Sequence, residues 1–246
     1  MKFNQDFIDK LKTAKSVVFF TGAGISAESG VPTFRGKEGL WKKFKPQELA
    51  NFDAFIRNPD LVWEWYQYRR KIVEEANPNP GHLAIVEMGK YFEDVSVITQ
   101  NVDDLHNRAG SKNVYELHGN IERNYCIDCE AIYNTNELEV TGKAPRCKKC
   151  GGLIRPDIVW FGEPIPQSIF SAAELKAKNS DICFVVGTTA IIYPAASIPR
   201  LAKEDGAYLV EINIEPTEIS HWVDYSLIGK SGEILPEILA EIRSFH

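Results

Sequence analysis

The sequence has 246 residues, of which 44% are hydrophobic and 25% are charged, a composition typical of globular proteins with a substantial core. Its 28 basic and 34 acidic residues give a net charge of −6, which argues against a nucleic-acid partner because such partners normally require a basic stripe. No apolar run approaches the ~18 residues of a membrane span, and the N-terminus does not resemble a secretory signal, so we expect a cytoplasmic protein with reduced cysteines and no membrane association.

Short apolar runs alternate with helical segments along most of the chain. The predicted strands cover residues 17–20, 95–99, 114–117, 158–161, 182–186, 208–212 and 225–228. The predicted helices cover residues 4–15, with Asn4 as the cap, and residues 82–90, 168–178, 195–204 and 234–244. Several strands lack polar alternation, as strands covered on both faces of a parallel sheet do. The pattern therefore predicts an α/β fold with a doubly wound parallel sheet and helices on both faces.

Two stretches do not fit this alternation. Residues 34–80 are helix-like and rich in aromatics, and residues 121–153 contain four of the five cysteines. We expect both to be insertions that together form a smaller domain. The core domain would then comprise residues 1–34, 80–120 and 154–246, with a helical module at 35–79 and a cysteine-bearing module at 121–153.

Small, amide and titratable residues follow almost every predicted strand. These positions are residues 21–24, 100–103, 118–120, 162–163, 187–189, 213–215 and 229–232. In an open α/β sheet, ligands bind beyond the carboxyl ends of the strands. Polar loops after strands occur in any α/β protein, but their recurrence here favours one extended polar ligand across the crevice.

The first strand runs into a Gly-x-Gly-x-x-Ala turn, TGAGISA, at residues 21–27. Gly22 and Gly24 would let backbone amides approach a phosphate. Two features argue against a hydride-transfer Rossmann enzyme: Gly30 and Pro32 stop the helix early, and the acidic residue expected ~20 positions later is missing. Taken alone, the turn is explained better as a structural feature than as a nucleotide site.

Four cysteines have the spacing of a zinc ribbon. Two C-x2-C pairs, Cys126 with Cys129 and Cys147 with Cys150, are separated by 17 residues. A four-cysteine set leaves no position open for water or substrate, so we predict a structural zinc ion. Cys183 lies in an apolar strand and is predicted to be buried. A zinc ribbon that binds nucleic acid or protein is the alternative, although the basic residues around the second pair are few on an acidic chain.

Together these segments resemble the sirtuin family, the NAD-dependent protein-lysine deacylases. The resemblance rests on residues 22–35, 99–103, 117–119, 159–163 and 187–189, on Asn213, and on the four cysteines. It implies a Rossmann-like domain with a smaller zinc-ribbon and helical domain. It also implies NAD as a consumed co-substrate, one structural zinc and acylated-lysine proteins as substrates.

The family's mechanism, as the resemblance implies it, involves no hydride transfer. The acyl oxygen of the substrate lysine displaces nicotinamide from NAD, a ribose hydroxyl then attacks, and the products are lysine and O-acyl-ADP-ribose. His118 matches the general base for that hydroxyl, and imidazole suits the task because its reference pKa is ~6.5. A relative whose main activity is ADP-ribosyl transfer would use the same cofactor site and is the alternative within enzymes.

The same resemblance assigns further site residues. Asn101, also counted as catalytic, and Asp103 line the nicotinamide pocket, while Val159 and Phe161 line the channel for the acylated lysine. His106 is a supporting contact, and the other histidines, at 82, 221 and 246, have no assigned function. The cofactor-binding set comprises Gly22, Ala23, Gly24, Ser26, Glu28, Thr33, Phe34, Arg35, Gln100, Asn101, Asp103, Gly187, Thr188, Thr189, Asn213, Ile214, Glu215 and Ser231.

Tyr66 and Arg69 match a Tyr-x-x-Arg pair that relatives use to bind acidic acyl groups such as succinyl and malonyl. Residues three apart lie on one face of a helix, and a guanidinium with a phenolic donor can bind a carboxylate in several ways. An amphipathic surface helix with an incidental aromatic and arginine is the alternative. Lys37 departs from the alanine that such relatives often carry.

Overall fold

The larger of two sheets in the computed structural model has the strand order of a Rossmann domain. The model describes residues 2–34, 45–139 and 142–245. The strands are β1 (Ser16–Thr21), β2 (Asp94–Thr99), β3 (Val114–Glu116), β7 (Ile182–Val186), β8 (Tyr208–Asn213) and β9 (Tyr225–Ile228). They are all parallel, in the order β3-β2-β1-β7-β8-β9. The order reverses direction between β1 and β7, and such a reversal is where doubly wound sheets bind their ligands.

Helices cover both faces of this sheet, which confirms the predicted α/β class. They are α1 (Gln5–Thr13), α5 (Pro80–Met88), α6 (Leu105–Ala109), α7 (Gln167–Lys178), α8 (Ser197–Glu204) and α9 (Ser231–Phe245). Helices α1, α5 and α9 share a core with one face, and α7 and α8 share a core with the other. Helix α1 begins as predicted, because the side chain of Asn4 accepts a hydrogen bond from Phe7 N at 2.8 Å.

Strand β1 shows why the apolar runs lack alternation. Val17 and Phe19 point into one hydrophobic core, while Val18 and Phe20 point into the other. All four side chains are fully buried. Each contributes roughly 1.5–3 kcal/mol by burial, so both faces of the strand select for apolar residues.

The second sheet is antiparallel and packs against helices. It contains β4 (Gly119–Cys126), β5 (Ile132–Asn134) and β6 (Ile154–Ile158), in the order β5-β4-β6. The helices are α2 (Pro46–Leu49), α3 (Phe52–Arg57) and α4 (Pro59–Glu75). Trp63 and Tyr66 of α4 share one hydrophobic core with Ile121, Cys126 and Ile154 of the sheet. The aromatic-rich and the cysteine-bearing segments therefore pack as one unit.

The predicted parallel strand at residues 158–161 is wrong. The strand in this region is β6, which ends at Ile158 and pairs antiparallel with β4. The chain then turns, because the carboxylate of Glu163 accepts hydrogen bonds from Trp160 N at 2.7 Å and from the buried guanidinium of Arg155. Glu163 is thus part of a structural ion pair, which accounts for its position after an apolar run without any ligand.

Candidate active site

The glycine turn lies at the reversal point between β1 and β7. Gly22 N donates to Val186 O at 3.0 Å, and Gly24 N donates to Gly187 O at 2.8 Å. A Cβ on Gly24 would lie 2.7 Å from Gly187 Cα, closer than real contacts allow. The two glycines therefore allow two strand-end turns to touch, and their amides are used within the protein. That they also contact a cofactor stays a prediction.

A short 3-10 helix, Ala23–Ser29, replaces the long helix of a dehydrogenase-type turn. It ends at Gly30, whose φ of 86° is a left-handed conformation that favours glycine. The early stop predicted from Gly30 is confirmed. Thr33 and Phe34 follow in a half-buried segment at the end of the first described stretch. Arg35, predicted to bind the cofactor, and Lys37, which stands where relatives selective for acidic groups often carry alanine, lie outside the described residues.

Two buried residues after β2 face the start of this 3-10 helix. The Nδ2 atom of Asn101 donates to Gly22 O at 3.0 Å and to Ser26 Oγ at 3.2 Å. Asp103 is 4% exposed, and its Oδ1 accepts from Leu105 N at 3.1 Å. Burial raises the pKa of Asp103, and a hydrogen bond from Ser26 opposes that shift. Ser26 therefore links the two polar side chains assigned to the nicotinamide pocket.

His118 is held in one tautomer at the end of β3. Its Nδ1 lies 3.0 Å from the carbonyl oxygen of Gln100. Because a carbonyl only accepts hydrogen bonds, Nδ1 carries the proton and Nε2 keeps its lone pair. Burial lowers the pKa of His118, and the bond to Gln100 offsets part of that shift. The neutral imidazole is consequently the stable form near neutral pH, as a proton acceptor requires.

Two further histidines lie deeper in the same region. His106 Nε2 is 3.0 Å from Thr21 Oγ1, which donates to Thr99 Oγ1 at 2.8 Å. The ring of His82 lies 4.8 Å from that of His106, and burial lowers the pKa of His82 to about 4. The sequence assigned His82 no function, and its only local signal is a capping box with Asn79 at the start of α5. Burial lowers the pKa of His106 as well, so both buried rings are neutral near neutral pH.

The other half of the crevice lies at the ends of β7 and β8. Gln100 Nε2 crosses the reversal point and donates to Thr188 Oγ1 at 2.9 Å. Asn213 Nδ2 donates to Thr188 O at 3.2 Å. Thr189 and Glu215 are exposed, and Ile214 is 68% exposed. Gly187 and Thr188 therefore pack against the glycine turn, and Asn213 is bonded to Thr188.

Glu28 and Ser231, both predicted to bind the cofactor, are hydrogen-bonded to each other. The Glu28 carboxylate accepts from Gly232 N at 2.8 Å and from Ser231 Oγ at 3.4 Å. It therefore caps the N-terminus of α9, where an acidic group is favourable. Their contact with a cofactor stays a prediction.

Of the four predicted substrate residues, Val159 contacts His118 directly. Val159 N donates to His118 O at 3.0 Å. Phe161, two positions after Val159, is 46% exposed. The hydroxyl of Tyr66 accepts from Trp160 Nε1 at 2.8 Å. The guanidinium of Arg69 lies 4.8 Å from the ring of Phe34 and 5.6 Å from that of Tyr66. Burial raises the pKa of Tyr66 and lowers that of Arg69.

The four predicted metal ligands come together. The sulfur atoms of Cys126, Cys129, Cys147 and Cys150 all lie within 4.8 Å of one another. A tetrahedral zinc ion with Zn–S bonds of about 2.3 Å needs sulfurs roughly 3.8 Å apart, so this donor set fits. The Tyr133 hydroxyl lies 3.1 Å from Cys147 Sγ, where it can donate a hydrogen bond to the thiolate form that zinc binds. Cys183 is buried in β7, as predicted.

The arrangement combines a fixed proton acceptor, a buried amide and carboxylate, and a crevice at a Rossmann reversal point. Such a set suits a nucleotide that reacts at a centre close to His118 and Asn101. The cysteine cluster lacks an open coordination position, so its metal would support the fold. Within the described residues, no helix has the length and hydropathy needed to cross a bilayer.

Known proteins share this architecture and these motifs. The model of the Sir2 family matches residues 22–194. NAD-dependent protein deacylase 2 of Pyrobaculum aerophilum is 52% identical over 96% of this chain and 94% of its own length. NAD-dependent protein deacylase of Aquifex aeolicus is 48% identical over 93% and 95%. A solved complex of a Sir2 homologue with NAD has a TM-score of 0.93 at 41% identity, covering 99% of this chain and 95% of that one. A Sir2 complex with a p53 peptide and NAD has a TM-score of 0.88 at 33% identity, covering 98% of each chain.

These similarities, added to the Rossmann strand order, place the protein in the class of NAD-dependent protein deacylases. The chain belongs to the Sir2 family, as the motifs in its sequence indicated.

Proposed function

We propose that this protein removes acyl groups from lysine side chains of other proteins, including acetyl and the acidic succinyl and malonyl groups. Nicotinamide and O-acyl-ADP-ribose would be the products. The names of the relatives and the peptide complex of a solved Sir2 structure support acylated proteins as substrates. The observation that carries the acidic-acyl part is the buried guanidinium of Arg69 beside Tyr66.

His118 would act as the general base. Bound NAD would supply the ADP-ribosyl group that receives the acyl group. The Nε2 atom of His118, freed by the bond from Nδ1 to Gln100, would take the proton of a ribose hydroxyl. The backbone bond between Val159 and His118 would keep the lysine channel next to this base.

Asn101 and Asp103 would hold the nicotinamide end of the cofactor. Both are nearly buried, and Ser26 bonds to each of them. A buried carboxylate that accepts from a carboxamide makes a charge-assisted hydrogen bond, which is stronger than a neutral one. This pair would fix the leaving group next to the reacting carbon.

Arg69 and Tyr66 would bind the carboxylate of an acidic acyl group. Arg69 is 8% exposed, and within the described part of the chain its guanidinium contacts the rings of Phe34 and Tyr66 and is hydrogen-bonded to the Tyr66 hydroxyl. The charge of Asp103 raises the pKa of Arg69 but does not offset the lowering by burial, so a carboxylate from the substrate would add a counter-charge to a costly buried cation. Because Tyr66 accepts from Trp160, its own hydroxyl hydrogen can donate to that carboxylate.

Acetyl-lysine and succinyl-lysine peptides of the same sequence test this proposal. We expect Arg69→Met to lower kcat/KM for the succinyl peptide roughly 10- to 100-fold, because bonds to a charged group are lost, and to change acetyl activity much less. Lys71→Met, an exposed position on the same helix, is the control for loss of a positive charge. Equal effects of Arg69→Met on both peptides would contradict an acidic-acyl pocket.

The same assay separates the alternatives. A deacylase releases nicotinamide only when an acylated peptide is present. An equal rate of NAD consumption with and without the acylated peptide would favour ADP-ribosyl transfer. Binding of nucleic acid at moderate salt would favour the zinc-ribbon module.

We also propose a cytoplasmic location, which the five cysteines without disulfides support.

A further inference from the structure

Helix α4 is hydrogen-bonded along one side to the cysteine-bearing sheet, which is the antiparallel sheet β5-β4-β6, and to the loop before Cys147. Its Trp63 donates from Nε1 to Ile154 O at 2.7 Å, and its Asp60 accepts from Ala144 N at 2.8 Å through Oδ1. Arg70 lies seven positions after Trp63, about two turns, and therefore on the same side. The contacts run from the start of the helix to its last third.

Arg70 forms the last of these contacts, and this contact buries a charged side chain. Its side chain is 4% exposed, its Nε donates to Ile121 O at 2.8 Å, and its Nη2 donates to Asn124 Oδ1. The guanidinium also lies 4.9 Å from the ring of Trp63. Burial lowers its pKa to about 10, so it stays charged near neutral pH.

This charge is buried without full compensation. Among the described residues, the charge of Glu122 raises the pKa of Arg70 but less than burial lowers it, and Arg70 Nη1 has no hydrogen-bond partner. An apolar side chain of similar volume would avoid this desolvation cost. The bonds to β4 therefore point to a positional role, because they fix the rotation of α4 about its axis against two specific acceptors.

The proposed acyl pocket adjoins the same side of α4, because residues four apart on a helix share a face. Tyr66 and Arg69 lie four and one positions before Arg70, and they turn toward Trp160 and Phe34. The far end of the helix is held separately, because Arg108 Nη1 donates to Val73 O at 2.9 Å. Without the Arg70 contacts, α4 could rotate about its axis. This rotation would displace Tyr66 and Arg69 while the C-terminal end of the helix stays bonded to Arg108.

We propose that Arg70 is a positioning residue that orients α4, so that the cysteine-bearing sheet determines where Tyr66 and Arg69 meet the acyl group. This role rests on the proposed function of those two residues. The described contacts of Arg70 are with β4 and Trp63, so it would act through the orientation of α4. Cys126 is the last residue of β4, so a metal bound by the four cysteines would also stabilise β4 and, through the bonds of Arg70, the orientation of α4.

Steady-state kinetics of Arg70→Met with the two peptides test the proposal, with Lys71→Met as the matched control. We expect KM for the succinyl peptide to rise about 10-fold, KM for the acetyl peptide to rise about threefold at most, and KM for NAD to stay within about twofold. A purely structural role would lower the melting temperature and leave the ratio of the two peptide KM values unchanged, which would overturn the proposal.

Arg70→Lys keeps the charge and one donor toward Ile121 O, so it covers the case in which Arg70→Met does not fold. We expect it to raise KM for the succinyl peptide by a smaller factor than Arg70→Met. Hydrogen exchange adds a readout independent of catalysis: amides 62–70 should exchange faster in both variants, while those of β1 keep the wild-type rate. Unchanged exchange in α4 would overturn the proposal.

Arg69→Met, measured in parallel, separates the two hypotheses. If Arg69→Met affects both peptides equally, the acidic-acyl pocket itself is wrong. If Arg69→Met selectively reduces succinyl activity but Arg70→Met behaves like Lys71→Met, the pocket stands and the positioning role is wrong.

Discussion

The Nδ1 atom of His118 donates a hydrogen bond to the carbonyl oxygen of Gln100 at 3.0 Å. The side chain of Gln100 extends the other way and donates to Thr188 Oγ1 at 2.9 Å. One residue at the end of β2 therefore fixes the tautomer of the proposed base and also ties it to the opposite half of the crevice. Within the described part of the chain, the base is oriented by a backbone carbonyl, and no carboxylate raises its pKa.

Replacement of His118 should remove the general base. We expect His118→Ala to lower kcat/KM for an acetyl-lysine peptide by roughly 10²- to 10⁴-fold, the usual contribution of such a group. His221→Ala, at an exposed histidine, is the control and should retain full activity. A wild-type rate in His118→Ala would show that another group takes the proton.

The pH dependence of activity should report the depressed pKa of His118. The base works when neutral, and burial lowers its pKa below the ordinary value of 6.5. Activity should therefore rise as pH increases through a midpoint below 6.5 and then level off. Measuring kcat/KM from about pH 5 to 8, with melting temperatures at each pH to exclude unfolding, checks this expectation. A midpoint above about pH 7 would contradict it.

Loss of one cysteine should release the metal and unfold the smaller unit. In Cys147→Ser, three thiolates and a hydroxyl replace a closed four-sulfur set, and β4 and β5 lose the support of the cluster. We expect loss of zinc by metal analysis, a lower melting temperature and loss of activity. Cys183→Ala, at the cysteine outside the cluster, should keep its zinc. An active Cys147→Ser protein without zinc would refute a structural metal.

The order of elements was largely predictable because it depends on local patterns. The alternating apolar runs and helices predicted every strand of the parallel sheet, and the cysteine spacing predicted the cluster. The error at residues 158–161 has a physical cause: an apolar run shows that side chains are buried but not which strand will pair with them. Trp160 is buried in the core that α4 shares with the antiparallel sheet, and the ion pair between Arg155 and Glu163 stabilises the turn that follows β6.

Other features could not be read from neighbouring residues. His82 lies 24 positions from His106 in the sequence, yet their rings are 4.8 Å apart. The amides of Gly22 and Gly24 were expected to be available to a phosphate, but carbonyls of Val186 and Gly187 accept from them. Each contact joins segments brought together by the parallel sheet, and no local pattern records it.

The sequence by itself determined the Rossmann-like sheet, the early end of the 3-10 helix at Gly30 and the identity of the four metal ligands, because periodicity, backbone preference and ligand spacing act over short distances along the chain. The tertiary structure alone decided which nitrogen of His118 carries the proton and which carbonyl binds Arg70. Those outcomes depend on the acceptor that lies opposite in space, and the acceptors, Gln100 and Ile121, are 18 and 51 residues away.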